Sequence, residues 1–353
     1  MTPRGTDWTL AFLVALLFTT GILSLVSGEP GDAWVFVLHG IGGATLGFVV
    51  GWKLRRVWRR VLEPRRWERR TLAGALAAGV VAVTLLSGWV WSSGGDLYVA
   101  GFNLLNWHIA LGVLLTLAVA MHGRLRAKPL RRQDALSRRQ ALHMAGITTA
   151  AAVLWWLQRP ASAYAGWRGA KRRWTGSYEQ GSFSGNSFPA TSWVADQPRR
   201  LSPEDYRLVV TGLVRQPLDL PLRDLQAQDT LRATLDCTGG FFSTQEWGGV
   251  RVGRLLEAAD PLATATHVRV VSYTGYRWSF PIEEARHFLL ATTVGTEALS
   301  HAHGAPMRLA APGRRGFQWI KWVVRLEVRD GPDPGAAAST LWSSWTPEGR
   351  GEV

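Results

Sequence analysis

The chain has 353 residues and a formal net charge of +14, with one cysteine, Cys237. That length accommodates two domains, and a single cysteine excludes any disulfide within the chain. Most of the excess positive charge sits in two short segments between apolar runs, a pattern of membrane topology that argues against a nucleic-acid surface.

From the N-terminus, five stretches read as membrane-spanning helices, at roughly 8–28, 33–53, 71–92, 98–121 and 141–158, the last being the shortest. Lys53, Arg55, Arg56, Arg59, Arg60, Arg65, Arg66, Arg69 and Arg70 crowd one connecting loop. Arg124, Arg126, Lys128, Arg131, Arg132, Arg138 and Arg139 crowd another. The opposite loops, Ser27 to Asp32 and Ser92 to Leu97, contain no Lys or Arg. Positive loops stay cytoplasmic, so five spans deliver residues 160 onward to the extracytoplasmic face. Residues 1–135 form a transmembrane four-helix bundle in the lipid bilayer on this reading, and 136–165 carry the fifth apolar helix.

Ionisable residues inside spans are costly and usually functional. His39 and His108 enter at similar depth on two different spans, and two imidazoles so placed can hold one haem b iron between them. His122 lies fourteen residues after His108, nearly on the same helix face, and is a weaker candidate for a second haem, because the position fourteen after His39 is Lys53. The alternative is that all three are packing or interfacial histidines. This half is similar in layout to four-helix bacterial b-type cytochromes.

Ser137-Arg138-Arg139-Gln140-Ala141-Leu142-His143 precedes the apolar run Met144 to Leu157 and resembles a twin-arginine export signal, departing from it at Ala141 and His143. Ala161-Ser162-Ala163 has the small residues of a cleavage site, but retention of the segment is favoured, since a tether raises the effective concentration of an electron relay.

Residues 166–330 read as a soluble α+β domain, and 331–353 as a C-terminal tail. Strands are expected at Tyr206–Gly212, Leu231–Asp236, His267–Tyr273 and Trp322–Val328. Helical turns are expected at Ser202–Asp205 and Pro221–Gln226, and a helix at Ile282–Leu290. No GxGxxG or Walker loop occurs.

Several stretches in order carry a resemblance: Asn186-Ser187-Phe188, Tyr206 to Leu213, Leu235-Asp236-Cys237-Thr238-Gly239-Gly240, Trp247 to Val250, His303 to Leu309, and Pro312-Gly313 through Gly316 to Lys321-Trp322. Together they resemble the sulfite oxidase family of molybdenum enzymes, which includes the catalytic subunit of bacterial methionine sulfoxide reductase. The resemblance implies a Mo-molybdopterin cofactor with Cys237 as the thiolate on the metal. It also implies cofactor contacts from Asn186, Pro189, Ala190, Ser272, His303, Arg308, Trp319, Ile320 and Lys321, with Arg308 and Lys321 as the cations for the anionic phosphate and backbone N–H groups around Gly313 to Gly316 assisting.

Two departures bear on the substrate. The stretch after the metal cysteine is Thr238-Gly239-Gly240-Phe241-Phe242, without the Arg that sulfite oxidases place there, and Thr292 stands where they have a Tyr. A phenyl-lined, uncharged mouth suits a neutral small molecule such as a sulfoxide or N-oxide. The expected activity is therefore oxygen-atom transfer at molybdenum, with electrons exchanged with the quinone pool through the haem. Alternatives are a sulfite-type dehydrogenase feeding a separate cytochrome, with the spans only an anchor, and a non-catalytic surface module.

Overall fold

The computed structural model describes all residues except 1, 62, 64–68, 95–96, 127–128, 130, 132–133, 135–137, 192–195, 226–227 and 352–353. Arg65, Arg66, Lys128, Arg132 and Ser137 from the sequence argument lie outside the described residues. The chain divides into two compact units, 1–178 and 179–353.

The first unit contains five long helices: α1 Pro3–Ser24, α2 Ala33–Val61, α3 Arg69–Ser93, α4 Leu104–Arg126 and α5 Arg138–Tyr164. The side chain of Thr2 caps α1 by accepting the N–H of Gly5 at 3.0 Å, and Pro3 occupies the tolerated first position. A core of Leu13, Val14, Leu46, Val49, Val81 and Leu115 is buried between the helices, with Met144 and Ile147 of α5 packed on it. The outer surface is apolar: Phe12, Leu86, Leu117, Met121 and Trp156 are all exposed. Among the described residues, four helices are long and apolar enough to cross a membrane: Pro3–Ser24, Pro30–Trp58, Gly74–Ser93 and Leu104–Arg124.

The fifth expected span is different. It folds as a 27-residue helix, about 40 Å long. Arg138, Arg139, Gln140 and His143 at one end and Gln158 and Arg159 at the other leave an apolar run of residues 144–157, shorter than the ~20 residues a span requires. It nevertheless runs the length of the bundle. Just before its start, the Asp134 carboxylate accepts the Thr2 hydroxyl at 2.8 Å, at the N-terminus of α1. Near its end, buried Gln158 donates from Nε2 to Ser93 Oγ at 2.8 Å, at the last residue of α3. Between these ends Trp155 lies over Gly40, where a Cβ would meet the indole nitrogen at 2.1 Å. The Ala161-Ser162-Ala163 segment is helical, with Ser162 buried.

The first unit also reaches beyond residue 165, because residues 166–178 fold back on the helix ends. Arg172 donates to Gln158 Oε1 at 2.9 Å, the Tyr178 hydroxyl donates to the Trp91 carbonyl, and Gly169 lies so close to Ser93 that a Cβ would meet its carbonyl oxygen at 2.1 Å.

The second unit is α+β and built on two sheets. In the first, β3 (Asp229–Asp236) and β4 (Phe241–Arg251) form a hairpin, β4 pairs antiparallel with β7 (Leu289–Val294), and β7 pairs with β8 (Arg308–Ala310). In the second, the order is β2 (Leu218–Pro221), β1 (Arg207–Gly212), β9 (Val323–Arg329), β5 (His267–Ser272) and β6 (Arg277–Pro281), with β1 and β9 parallel. Alternating residues Leu208 and Val210, Val268 and Val270, and Leu326 and Val328 put one face of this sheet in the core, as the period of two requires.

Two sequence expectations change here. The helix expected at Ile282–Leu290 is a single turn, Ile282–Ala285, and Leu289–Val294 is strand β7. A short apolar run buried on both faces is ambiguous by periodicity alone, and pairing to β4 and β8 decides it. The expected helical turns are single turns, Ser202–Asp205 closed by Tyr206 N–H to the Ser202 carbonyl at 3.0 Å and Leu222–Leu225 as 3₁₀ helix. Residues 331–353 are structured: a helix, Ala336–Trp342, is followed by Ser343 and Ser344, whose hydroxyls donate to Asp196 Oδ1 at 2.9 and 2.6 Å.

Candidate molybdopterin site

Cys237 follows β3 directly, in the turn that leads into β4. The turn closes through Cys237 N–H to the Phe241 carbonyl at 2.8 Å and Gly240 N–H to the Cys237 carbonyl at 3.0 Å. Gly240 has φ +97°, a conformation that favours glycine. The sulfur is largely buried in polar surroundings: Gly239 N–H donates to it at 3.3 Å, and the Thr191 hydroxyl lies at 3.3 Å. A sulfur so placed, with a backbone N–H and a hydroxyl beside it, is a soft donor suited to metal ligation.

The segment 314–318 packs against this turn. Arg315 donates to the Asp236 carboxylate at 2.7 Å, and both are buried. A Cβ on Gly316 would sit 2.8 Å from the Cys237 Cα, so only glycine permits the approach. Arg314 is bound to Glu284. Two of the nearby cations are thus neutralised within the protein.

Arg308 and Lys321 are not. Arg308 is 2% exposed, donates to the carbonyls of His303 at 3.0 Å and Trp319 at 3.4 Å, and lies over the rings of Trp247 and Trp319 at 5.1 and 5.9 Å. Its Nε has no hydrogen-bond partner, and no carboxylate pairs with it among the described residues. Burial pulls its pKa down to about 9, with the Cys237 sulfur opposing. Lys321 donates to the carbonyls of Thr191 at 2.9 Å and Ala302 at 2.6 Å. Burial and the nearby Arg308 push it down to about 7, against the pull of Cys237 and Asp196. An unpaired buried cation is expensive, and buried Arg308 with half-buried Lys321 beside a thiol makes a site for an anionic group. Gln318 Oε1, also buried without a partner among the described residues, adds an acceptor in the same segment. These residues fit an anionic pterin bearing N–H groups.

The other expected contacts are spent inside the protein. His303 is buried; the Phe188 carbonyl accepts from Nε2 at 2.9 Å and the Ser300 hydroxyl meets Nδ1 at 2.7 Å, so the ring is neutral with both nitrogens engaged. Asn186 donates to Glu297 and to the Ala298 carbonyl at 2.8 and 2.9 Å and accepts Ser300 N–H at 2.8 Å. Both residues therefore position the strand-like segment 188–191, which carries Pro189, Ala190 and the Thr191 hydroxyl past the sulfur. The Trp319 carbonyl accepts from Arg308, and the Ile320 carbonyl accepts Leu309 N–H at 2.7 Å. Ser272 lies in a buried turn with Thr274, whose hydroxyl donates to Asp196 at 3.1 Å. Phe241 is buried in the core and does not line a mouth; Phe242 is half-buried. Sequence reasoning missed Thr191, Asp196, Gln318 and the Asp236–Arg315 pair. Thr191 and Gln318 adjoin stretches it had marked, but the partners of Asp196 and Arg315 are remote in sequence.

Residues 194–337, which contain the cysteine site, match the family model described as oxidoreductase molybdopterin binding domain. The chain is 29% identical over 189 residues to the protein-methionine-sulfoxide reductase catalytic subunit of Gluconobacter oxydans, covering 47% of this chain and 57% of that one. It is 29% identical over 159 residues to a nitrate reductase [NADPH] of Aspergillus niger, covering 36% of this chain and 18% of that one. Among solved structures, the sulfane dehydrogenase SoxCD from Paracoccus pantotrophus matches with 30% identity and a TM-score of 0.37, over 38% of this chain and 41% of that one. The chain thus spans little more than half of the first relative and a smaller part of the second.

Two outcomes follow from the charges. Replacing Arg308 by Met removes a buried cation that lacks a counter-charge. The cofactor-free variant is expected to be at least as stable as cofactor-free wild type by denaturant unfolding, while retaining no molybdopterin; a loss of about 3 kcal/mol or more, the cost of breaking a buried pair, would contradict this. His303 is held neutral by burial, with its pKa down at about 4 from an ordinary 6.5. The unfolded chain takes up this proton below 6.5 and the folded one only near 4, so the histidine's contribution is intact above 6.5 and lost as pH falls to 4. Unfolding measured from pH 7 to 4 should show that decline, and His303→Gln should flatten it.

Proposed function

We propose that this chain is a membrane-bound molybdenum-cofactor oxidoreductase that exchanges electrons with the quinone pool through one haem b in its helical unit. The observation that carries the reading is the uncompensated Arg308 cation beside a cysteine sulfur that receives hydrogen bonds. Molybdopterin at this site supplies two-electron oxygen-atom exchange. The protein's part is to hold Cys237 as the metal thiolate, to meet the anionic phosphate with Arg308 and Lys321, and to clamp 314–318 on the turn through Asp236–Arg315. The preferred substrate class is an uncharged sulfoxide or N-oxide, since no cation follows Cys237 in sequence and Arg314 and Arg315 are committed to carboxylates. For a sulfoxide the balance is one substrate, two electrons and two protons to one thioether and one water. Quinol is the electron source in that direction, in keeping with the reductases among its relatives.

The haem reading rests on His39 and His108, whose ring centres lie 6.1 Å apart with planes at 78°. Two imidazoles on opposite sides of one metal, each at about 2 Å, place their ring centres roughly 6 Å apart. At the level of His122, Lys53 is paired with Asp7 at 2.8 Å, so that position of α2 supports an ion pair rather than a second ligand. The membrane supplies the bundle's apolar exterior with its solvent. The arginine-rich connections of the helical unit, held inside by the positive-inside rule, support an extracytoplasmic catalytic unit, and exposed Arg138 and Arg139 at the start of α5 suit a twin-arginine receptor.

Purified full-length protein should contain molybdenum and show a reduced-minus-oxidised b-type spectrum. Cys237→Ser should lose the metal and sulfoxide reduction while keeping the haem; retention of molybdenum sinks the assignment of the thiolate. Protease added to intact spheroplasts should cleave a tag fused after Val353 and spare one inserted between α2 and α3. The reverse pattern places the catalytic unit in the cytoplasm.

A further inference from the structure

His39 and His108 are approached by the same device on two helical hairpins. On α1, Thr20 is followed by Gly21; on α3, Ser87 is followed by Gly88. Thr20 Oγ1 lies 2.9 Å from His39 Nδ1, nineteen residues on, and Ser87 Oγ lies 3.2 Å from His108 Nδ1, twenty-one residues on. The adjoining glycines leave room for the rings: a Cβ on Gly21 would sit 3.8 Å from His39 Cε1, and one on Gly88 would sit 2.7 Å from His108 Cε1.

The hydrogen bonds also fix the protons. The Thr20 hydroxyl lies 2.9 Å from the Leu16 carbonyl and 3.1 Å from that of Leu17, and donating to either leaves its oxygen to accept from Nδ1–H of His39. The Ser87 hydroxyl donates to the Thr84 carbonyl at 2.8 Å. His108 Nδ1 is also 3.0 Å from that carbonyl, which can only accept, so Nδ1 of His108 must carry the hydrogen. Each ring then keeps a lone pair on Nε2, and no hydrogen bond reaches either Nε2 among the described residues. His303 in the second unit is the contrast, since both of its nitrogens are engaged.

We propose that Thr20 and Ser87 are the positioning residues of a bis-imidazole site, holding Nδ1 of His39 and His108 so that the two Nε2 atoms are the axial ligands of a single haem. This rests on the haem reading above. A hydroxyl accepting from the ligand's outer N–H raises the ligand's basicity and favours the oxidised metal. Removing it should raise the reduction potential.

Full-length Thr20→Val, Ser87→Ala, Thr20→Ser, His39→Ala and His108→Ala proteins, purified in detergent, test this by haem content and by spectroscopic redox titration. Thr20→Val and Ser87→Ala are each expected to retain haem and to favour reduction about tenfold more than wild type, a shift of 59 mV for one electron. Thr20→Ser should restore the wild-type potential, and should restore haem content should Thr20→Val lower it; failure of Ser to restore overturns the positioning role. Potentials in Thr20→Val and Ser87→Ala equal to wild type also overturn it, and leave the ligands untouched. Haem retained at full content in both His39→Ala and His108→Ala instead overturns the haem reading itself.

Discussion

A guanidinium sealed in a protein interior demands an anion, and Arg308 meets none among the described residues. Its carbonyl bonds to His303 and Trp319 and its position over Trp247 and Trp319 hold it rigidly at the start of β8, with Nε left over. The rest of the second unit is arranged around that uncompensated charge. Strand β7 joins β8 to β4, whose hairpin turn presents Cys237, and the Asp236–Arg315 pair draws the following segment onto the same turn. Neutralising Arg314 and Arg315 internally leaves the remaining positive potential concentrated on Arg308 and Lys321. An anionic cofactor bound there would complete an electrostatic arrangement that the polypeptide alone leaves open.

The two units handle histidine in opposite ways. In the second, Nε2 of His303 donates to a backbone carbonyl and Nδ1 accepts a hydroxyl, so the ring is a bridge between segments and has no lone pair to offer. In the first, Nδ1 alone is engaged among the described residues, by a hydroxyl on a neighbouring helix and, for His108, by a backbone carbonyl as well. The difference lies in the neighbour's hydrogen-bond direction, which residue type alone does not reveal.

That distinction marks how far the sequence could be read. The strands at 207–212, 229–236, 267–272 and 323–329 announced themselves by alternating Val and Leu between turn residues. Leu289–Val294 did not, because a strand buried on both faces has no alternation. Cys237, Arg308 and Lys321 stood in motifs and come together in the fold. His303 and Asn186 stood in the same motifs, but their side chains serve the protein's internal connections, which depend on segments more than a hundred residues away. Asp196 and the C-terminal serines that bind it carry no local signal at all. In the helical half, hydropathy located α1 to α4 but understated α5, whose polar ends are satisfied by Asp134 and Thr2 at one side of the bundle and by Gln158 and Ser93 at the other.

The continuity of α5 through Ala161-Ser162-Ala163 has a further result. A peptidase binds its target as an extended strand, and here the backbone is wound in a helix with Ser162 turned into the packed interior. The scissile candidate is therefore hidden by folding.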